Sequence, residues 1–456
     1  MKKALSILLS VLILVACMPM AFAADATYQI VSPYEDVIWE GDGAWGAYKG
    51  SLHSHTTVSD ATEDYPEMIK EFYEQDYDFL AVADHGVTGR AWNEKQTLLP
   101  LYLYQFLLGY KMTPLTDEEF YGITGGTYPT YDGTPRGTGM TCVTGANEFN
   151  YMTLTKSHVN GYFLEPGVGD GFTCGENSFE PAIAFIEKNG GLSHINHPGD
   201  WLDSNADMTN VSKPENVEFF ADILLRYKSC LGMEVFNENN GTTGYDRILW
   251  DNLLMTVLPY GRTVIGFSNT DAHDKNNVDT SFSIFMMEEN TSEKVKETMQ
   301  SGSFFAVTRN LRANNVIGPE KEIDAMNKGL AYPMFTSIDV DGHSVTVNAK
   351  DFNKIQWIAN GKIIFEQDVT AAQAGQPITL NLDEIDGAED FIYIRAELIG
   401  EGGMCVTQAF EIDDGTQPLE YNEDTDLAGV FEDIWFRVKS SLIYVIFQEL
   451  YRAIFG

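Results

Sequence analysis

Two of the chain's eight histidines, His53 and His55, flank a single residue in the stretch SLHSHTTVSD, residues 51–60. On an extended strand, side chains two apart share a face, so both imidazoles point the same way. Two neutral imidazoles placed like this can share one cation at about 2.0–2.1 Å, a donor set that suits zinc, manganese or iron. A His-x-His pair alone is a weak signal, and the other histidines sharpen it. His85 closes FLAVADH beside Asp84, His158 lies in KSHVNGYF, His197 follows LSHIN, and Asp271 and His273 close VIGFSNTDAH. Glu148, in CVTGANEFN, occupies the same kind of place. Six of the eight histidines thus fall where short apolar runs end, in company with Asp60, Glu148 and Asp271. His194, inside LSHIN, reads as a buried strand residue and not as a ligand.

The elements that must carry these residues follow a repeating pattern. In DATEDYPEMIKEFYEQDYDFLAVADH, Asp60 and Thr62 are capping candidates for a helix bearing Met68, Ile69, Phe72 and Tyr73, and DFLAVAD reads as a buried strand. FEPAIAFIEKNGGLSHINHP, FFADILLRYKSCLGMEVFN and YDRILWDNLLMTVLPYGRTVIGFSNTDAH repeat the helix-then-strand unit. Such alternation implies a parallel α/β barrel, whose active sites lie at the carboxyl ends of the strands. Between Ala91 and Met140 the pattern breaks: TLLPLYLYQFLLGYKM reads as a helix and YGITGGTYPTYDGTPRGTGM as a turn-rich loop. From Pro333 the runs turn to period two, with Asn-Gly and Gly-Glu-Gly-Gly turns between them, the pattern of a small antiparallel β-sandwich ending at Asp414.

The stretches KGSLHSHTTVSD, AVADH, GANEFN, SHVNGYF, NHPG and SNTDAHD, in this order, resemble the successive motifs of the PHP (polymerase and histidinol phosphatase) family of metal-dependent phosphoesterases. The resemblance spans Tyr48 to Asn310, and the following sandwich resembles the accessory domain of secreted members. It implies a distorted (β/α)7 barrel holding two or three divalent metal ions, zinc, manganese or iron. By motif, His53, His55, Glu148 and Asp271 would hold the first, Glu148 would bridge to a second held by His158 and His197, and Asp60, His85 and His273 would hold a third. Asp60 matches only one branch of the family. Asp84, Glu148 and Asp271 are the carboxylates expected to act in catalysis, Asp84 by orienting His85 or a neighbouring ligand. Glu234, in a recurrent family motif, is expected to accept a hydrogen bond behind a ligand. Arg309 after AVT is expected at the surface, with a phosphate contact as the alternative. A carboxylate-bridged metal pair polarises a phosphoryl oxygen and lowers the pKa of bound water toward about 7. The expected activity is hydrolysis of a phosphate mono- or diester. The alternatives are hydrolysis of a non-phosphate ester or amide, or a surface-binding module on a vestigial barrel.

Composition sets the outer bounds. With 67 acidic against 29 basic residues in 456, the formal charge is −38, which argues against a broad basic surface for nucleic acid and leaves a small phosphorylated substrate open. The start, MKKALSILLSVLILVACMPMAFAAD, has the lysines, apolar run and Ala-Phe-Ala end of a secretory signal cut after Ala23, so a secreted or extracytoplasmic protein is expected. A competing cut before Cys17 would leave it lipid-anchored. Cys142, Cys174, Cys230 and Cys405 form no CxxC pair. The expected organisation is a signal peptide (1–23), a lead (24–47), the barrel (48–318), the sandwich (333–414), an acidic linker (415–428) and an amphipathic helix (429–456). That helix is expected to dock on its own chain, on a sister subunit, or at a cell surface or membrane interface.

Overall fold

A computed structural model describes residues 28–96, 113–150, 156–171, 177–202, 209–238, 243–311, 323–370, 373 and 375–440. The expected signal segment 1–23, the apolar run 97–112, Cys174 and residues 441–456 of the terminal segment lie outside these. The fold is mixed α/β.

Strand β1 (Gln29–Val31) precedes β2 (Gly46–Ser51), and His53 and His55 follow just beyond β2. Helix α1 (Tyr65–Glu74) buries Met68, Ile69, Phe72 and Tyr73 along one stripe. Its N-cap is Asp64, with Pro66 in the first turn presetting the helical φ, so Asp60 and Thr62 do not cap it as expected. Strand β3 (Phe79–Leu80) pairs parallel to β2, with Gly50 opposite Phe79. Helix α2 (Asp117–Thr124) includes the stretch YGIT, expected in a loop. The cause is a full capping box: Thr116 accepts from the Glu119 N–H, and Glu119 accepts from the Thr116 N–H.

Strand β4 (Thr141–Cys142) pairs parallel to β3 and runs toward β5 (Asn147–Phe149). Nine residues then separate β5 from β6 (Val159–Tyr162), fewer than the dozen or so a parallel crossover needs, and the pair is antiparallel. Helix α3 (Glu180–Lys188) leads to β7 (Leu192–Ile195), α4 (Pro198–Leu202) and α5 (Pro214–Arg226) precede β8 (Cys230–Phe236), and α6 (Asp246–Val257) precedes β9 (Ile265–Ser268). β6 is antiparallel to β7, whereas β7, β8 and β9 run parallel. β6 is thus the reversed strand, a departure from the uniformly parallel barrel the alternation implies. Reversal puts the start of β6, and His158 before it, at the end where its neighbours finish. Among the described residues no closed barrel forms: β2 to β4 and β5 to β9 belong to separate sheets, joined by single parallel bridges at Ser54–Ala272 and His85–Glu148.

Strand β10 (Ser281–Met287) is antiparallel to β2 on one side and, after α7 (Ser292–Ser301), to β11 (Phe304–Thr308) on the other. A small pair, β12 (Asn310–Leu311) and β13 (Ile323–Asp324), follows. β14 (Met334–Asp341), β15 (Ser344–Lys350), β16 (Lys354–Ala359), β17 (Lys362–Asp368), β18 (Ile378–Asn381), β19 (Tyr393–Gly400), β20 (Gly403–Val406) and β21 (Phe410–Asp413) complete the strands. β16 and β17 are joined by Asn360-Gly361, both at positive φ, the hairpin turn this dipeptide favours. β14, β15 and β18 form one antiparallel sheet, while β20 pairs with β11, so a single sheet runs β1-β21-β19-β20-β11-β10-β2-β3-β4 through the 48–318 and 333–414 segments alike. Side chains tie the same join. The guanidinium of Arg395 donates to both carboxylate oxygens of Asp251 at 2.7 Å and pairs with Glu397, all buried. Arg309 is not at the surface as expected: it is buried, paired with Asp279 at 2.6 Å and donating to the Leu330 carbonyl, which commits its charge away from any substrate. Helix α8 (Leu427–Ser440) packs on α5 and α6 through buried Leu427 and Phe431.

Candidate metal centre

Four donor atoms meet where β2, β5 and β9 end. His53 Nε2 lies 3.3 Å from Glu148 Oε2 and 3.2 Å from Asp271 Oδ1, His55 Nε2 lies 2.9 and 3.1 Å from the same two oxygens, and the two Nε2 atoms are 3.1 Å apart. A tetrahedral ion with ligands at 2.0–2.1 Å has ligand-to-ligand edges of about 3.3 Å, so the spacing matches a tetrahedral donor set. Asp271 Oδ1 is buried and makes no hydrogen bond, as an oxygen facing a cation should.

Glu148 joins this group to the next. Its Oε2 also lies 3.2 Å from His85 Nδ1, while Oε1 lies 3.2 Å from His158 Nδ1 and 3.3 Å from His197 Nε2. Further out, Asp60 stands 3.5 Å from His85 Nε2 and 3.6 Å from His273 Nε2. His55 is also within a candidate ligand set with Asp60 and His85, its Nδ1 lying 3.7 Å from Asp60 Oδ1. A neutral imidazole has one lone pair, however, so His55 cannot serve both groups. All nine candidate ligands therefore come together in one connected cluster, with His273 and Asp60 at its exposed edge, each with more than a third of its side chain in contact with solvent.

Hydrogen bonds behind the donors choose the tautomers. His53 Nδ1–H donates to Glu234 Oε1 at 2.9 Å, leaving its Nε2 lone pair for the cluster. Glu234 is in turn held by the Asn269 and Asn237 amides at 3.0 and 2.8 Å and by the His197 N–H at 2.9 Å. His55 Nδ1–H donates to Ser59 Oγ at 3.3 Å, and that hydroxyl donates to Asp84 at 2.7 Å. Asp84 also takes the Thr56 N–H and hydroxyl, so it orients His55, a neighbouring candidate ligand, through Ser59. His273 Nδ1–H donates to the Asp271 carbonyl at 2.9 Å, which turns Nε2 toward Asp60. Asn196 donates to Glu148 Oε1 at 2.7 Å. His194 stays apart, stacked on Phe267 and bonded to the Tyr162 hydroxyl, and burial pushes it down to about 4.

The charge balance calls for cations. Burial opposes a charged His53, yet Asp271, Glu148 and Glu234 outweigh it and raise the imidazole well above the usual histidine value. His55 is raised in the same way, and His197 is pushed up to about 9 against burial by Glu148. Burial would raise Glu148, but the imidazoles of His53, His85 and His158 hold it well below the carboxylate range. Without metal, protons must neutralise the cluster; a divalent ion does the same with fewer bodies. The backbone is strained here as well, with His197 at φ +26° and Asp271 at φ +47°, a region that L residues rarely enter.

The sequence reading missed three residues that help orient the ligands: Ser59, Asn196 and Asn269. Small polar residues are too common for type or spacing to mark them, although Asn196 and Asn269 lie within two residues of a candidate ligand. It also missed Glu238, half-buried beside the cluster and pushed up to about 6 by burial and by Asp271.

No family model matches the chain, and no curated protein does. Among solved structures it is similar to a two-domain protein containing a predicted PHP-like metal-dependent phosphoesterase from Bacteroides vulgatus, at 13% identity over 81% of this chain and 96% of that one, with a TM-score of 0.40. It is also similar to the lesion-specific endonuclease PfuEndoQ from Pyrococcus furiosus, at 14% identity over 56% of each chain, with a TM-score of 0.32. The chain is thus similar to a PHP-like metal-dependent phosphoesterase among solved structures, and it carries a buried histidine and carboxylate cluster that fits divalent metal.

Proposed function

We propose that the protein is an exported metal-dependent phosphoesterase that hydrolyses a phosphate mono- or diester, built on a distorted (β/α)7 barrel. The observation that carries this reading is Glu148, whose two carboxylate oxygens are turned to separate sets of imidazoles, His53, His55 and His85 on one side and His158 and His197 on the other. A carboxylate so placed can serve two cations. The two single bridges that link the ends of the sheets support the barrel reading, since they lie at the rim where the ligands gather. The lysine-led apolar start of the chain supports export.

Divalent ions in such a centre supply Lewis-acid polarisation of a phosphoryl oxygen and acidify water. The chain's own part is positioning. Glu234 and Ser59 fix the rings of His53 and His55, Asn237 donates to Asp271 Oδ2 at 3.3 Å and leaves Oδ1 to the cluster, and Asn196 restrains Glu148. Burial of most of the donors limits their contact with bulk water, and Asp60 with His273 is the most exposed edge of the cluster. The test is hydrolysis of nitrophenyl phosphate and bis-nitrophenyl phosphate by manganese- or zinc-loaded protein. Activity that disappears in His53→Ala/His55→Ala is expected; activity on carboxylic esters or amides alone would refute the phosphoester assignment.

A further inference from the structure

Lys156 stands on the flank of the cluster served by the other Glu148 oxygen. It precedes His158 by two residues, and its Nζ lies 3.0 Å from Asp200 Oδ2, which is itself 4.0 Å from His197 Nδ1. The lysine side chain is 60% exposed while Asp200 is 10% exposed, so the carboxylate is fixed and the ammonium faces solvent.

The backbone that delivers Lys156 is strained and held. Lys156 has φ +54°, and the next residue is locked because Asn150 Nδ2 donates to the Ser157 carbonyl at 2.9 Å. A left-handed backbone costs an L residue more than an exposed ion pair returns. The Asp200 contact alone therefore does not account for this geometry, and strain of this kind collects where function holds a side chain in place. Charge gives the function. A phosphoester is anionic, the chain carries −38, and Glu148, Asp271, Asp60 and Glu234 crowd the cluster with negative charge. An ammonium on a four-carbon stem can leave Asp200 for a phosphoryl oxygen without moving the backbone.

We propose that Lys156, parked on Asp200 beside His197, is the cationic contact for the non-bridging phosphoryl oxygens of the substrate. This takes its substrate class from the phosphoester reading, but its test does not need turnover. The probe is inorganic phosphate, titrated calorimetrically into the full-length manganese-loaded protein, with metal content measured on the same samples. Losing a charge-assisted hydrogen bond should weaken phosphate binding about tenfold or more in Lys156→Met, while Lys156→Arg stays within about threefold. Asp200→Asn, which frees the ammonium, should tighten it. With nitrophenyl phosphate, Lys156→Met should raise KM far more than it lowers kcat. Equal phosphate affinity in wild type and Lys156→Met, no phosphate binding by wild type, or metal lost along with phosphate binding would each overturn the proposal. Wild type that binds phosphate through Lys156 yet cleaves no ester would uphold it while removing the phosphoesterase reading.

Discussion

At the scale of single residues, the division between atoms that face the cluster and atoms that hold them there makes separable predictions. Glu234 never faces the donor group; it grips His53 Nδ1 and the His197 N–H. Glu234→Gln should slow turnover about 10- to 100-fold with most of the metal retained, because ring orientation suffers and no donor is lost. Loss of all bound metal in that variant, by elemental analysis, would make Glu234 a ligand instead. His197 gives a pH prediction. Its folded value of about 9 lies above the usual histidine value near 6.5, so in metal-free protein its stabilisation is complete below about pH 6.5 and is lost as pH rises through about 9. Melting of chelated protein should therefore weaken across that window, and metal-loaded protein, whose imidazole is held neutral by the ion, should not show the same fall. The nine candidate ligands were legible as a group because six of them are histidines, rare in this chain and placed at the ends of apolar runs. Ser59, Asn196 and Asn269 were not, since an orienting role is defined by the partners a side chain meets in the fold and not by residue type.

At the scale of elements, the site depends on where strands stop and on one strand that runs backwards. The helix and strand alternation is visible in buried stripes such as Met68, Ile69, Phe72 and Tyr73, and the Asn360-Gly361 hairpin in its turn residues. The reversal of β6 was not visible, because it follows from a short connection whose ends become clear only once strand limits are known. The start of α1 shifted for a local reason, Pro66, and α2 appeared where a capping box outweighed Gly122. The buried join between α6 and β19 rests on Arg395, which answers both Asp251 and Glu397. Arg395→Met leaves buried Asp251 without its cation, while Glu397 keeps Arg247 at 3.2 Å, and should cost about 3–5 kcal/mol in urea unfolding. A loss under about 1 kcal/mol would mean that the carboxylates find other partners or protonate cheaply.

At the scale of the whole molecule, the period-two strands were readable from sequence but their attachment was not. The pairing of Ala306 with Val406 joins segments a hundred residues apart, and neither segment advertises the other. Because one sheet passes through both, limited proteolysis should release no stable fragment ending near Leu311; a soluble, metal-binding 48–318 fragment would show that the join is dispensable. The same sheet carries β2, so the strands of the 333–414 segment, through β20, β11 and β10, brace the strand that presents His53 and His55. What this assembly is for comes down to the metals. Chelated protein should be titrated with manganese while bound metal per chain and nitrophenyl phosphate turnover are followed together, in wild type and in Glu148→Gln. The account predicts turnover that needs more than one bound ion per chain in wild type and collapses in Glu148→Gln. Fully loaded wild type that cleaves no phosphoester, or turnover unaffected by Glu148→Gln, would contradict it.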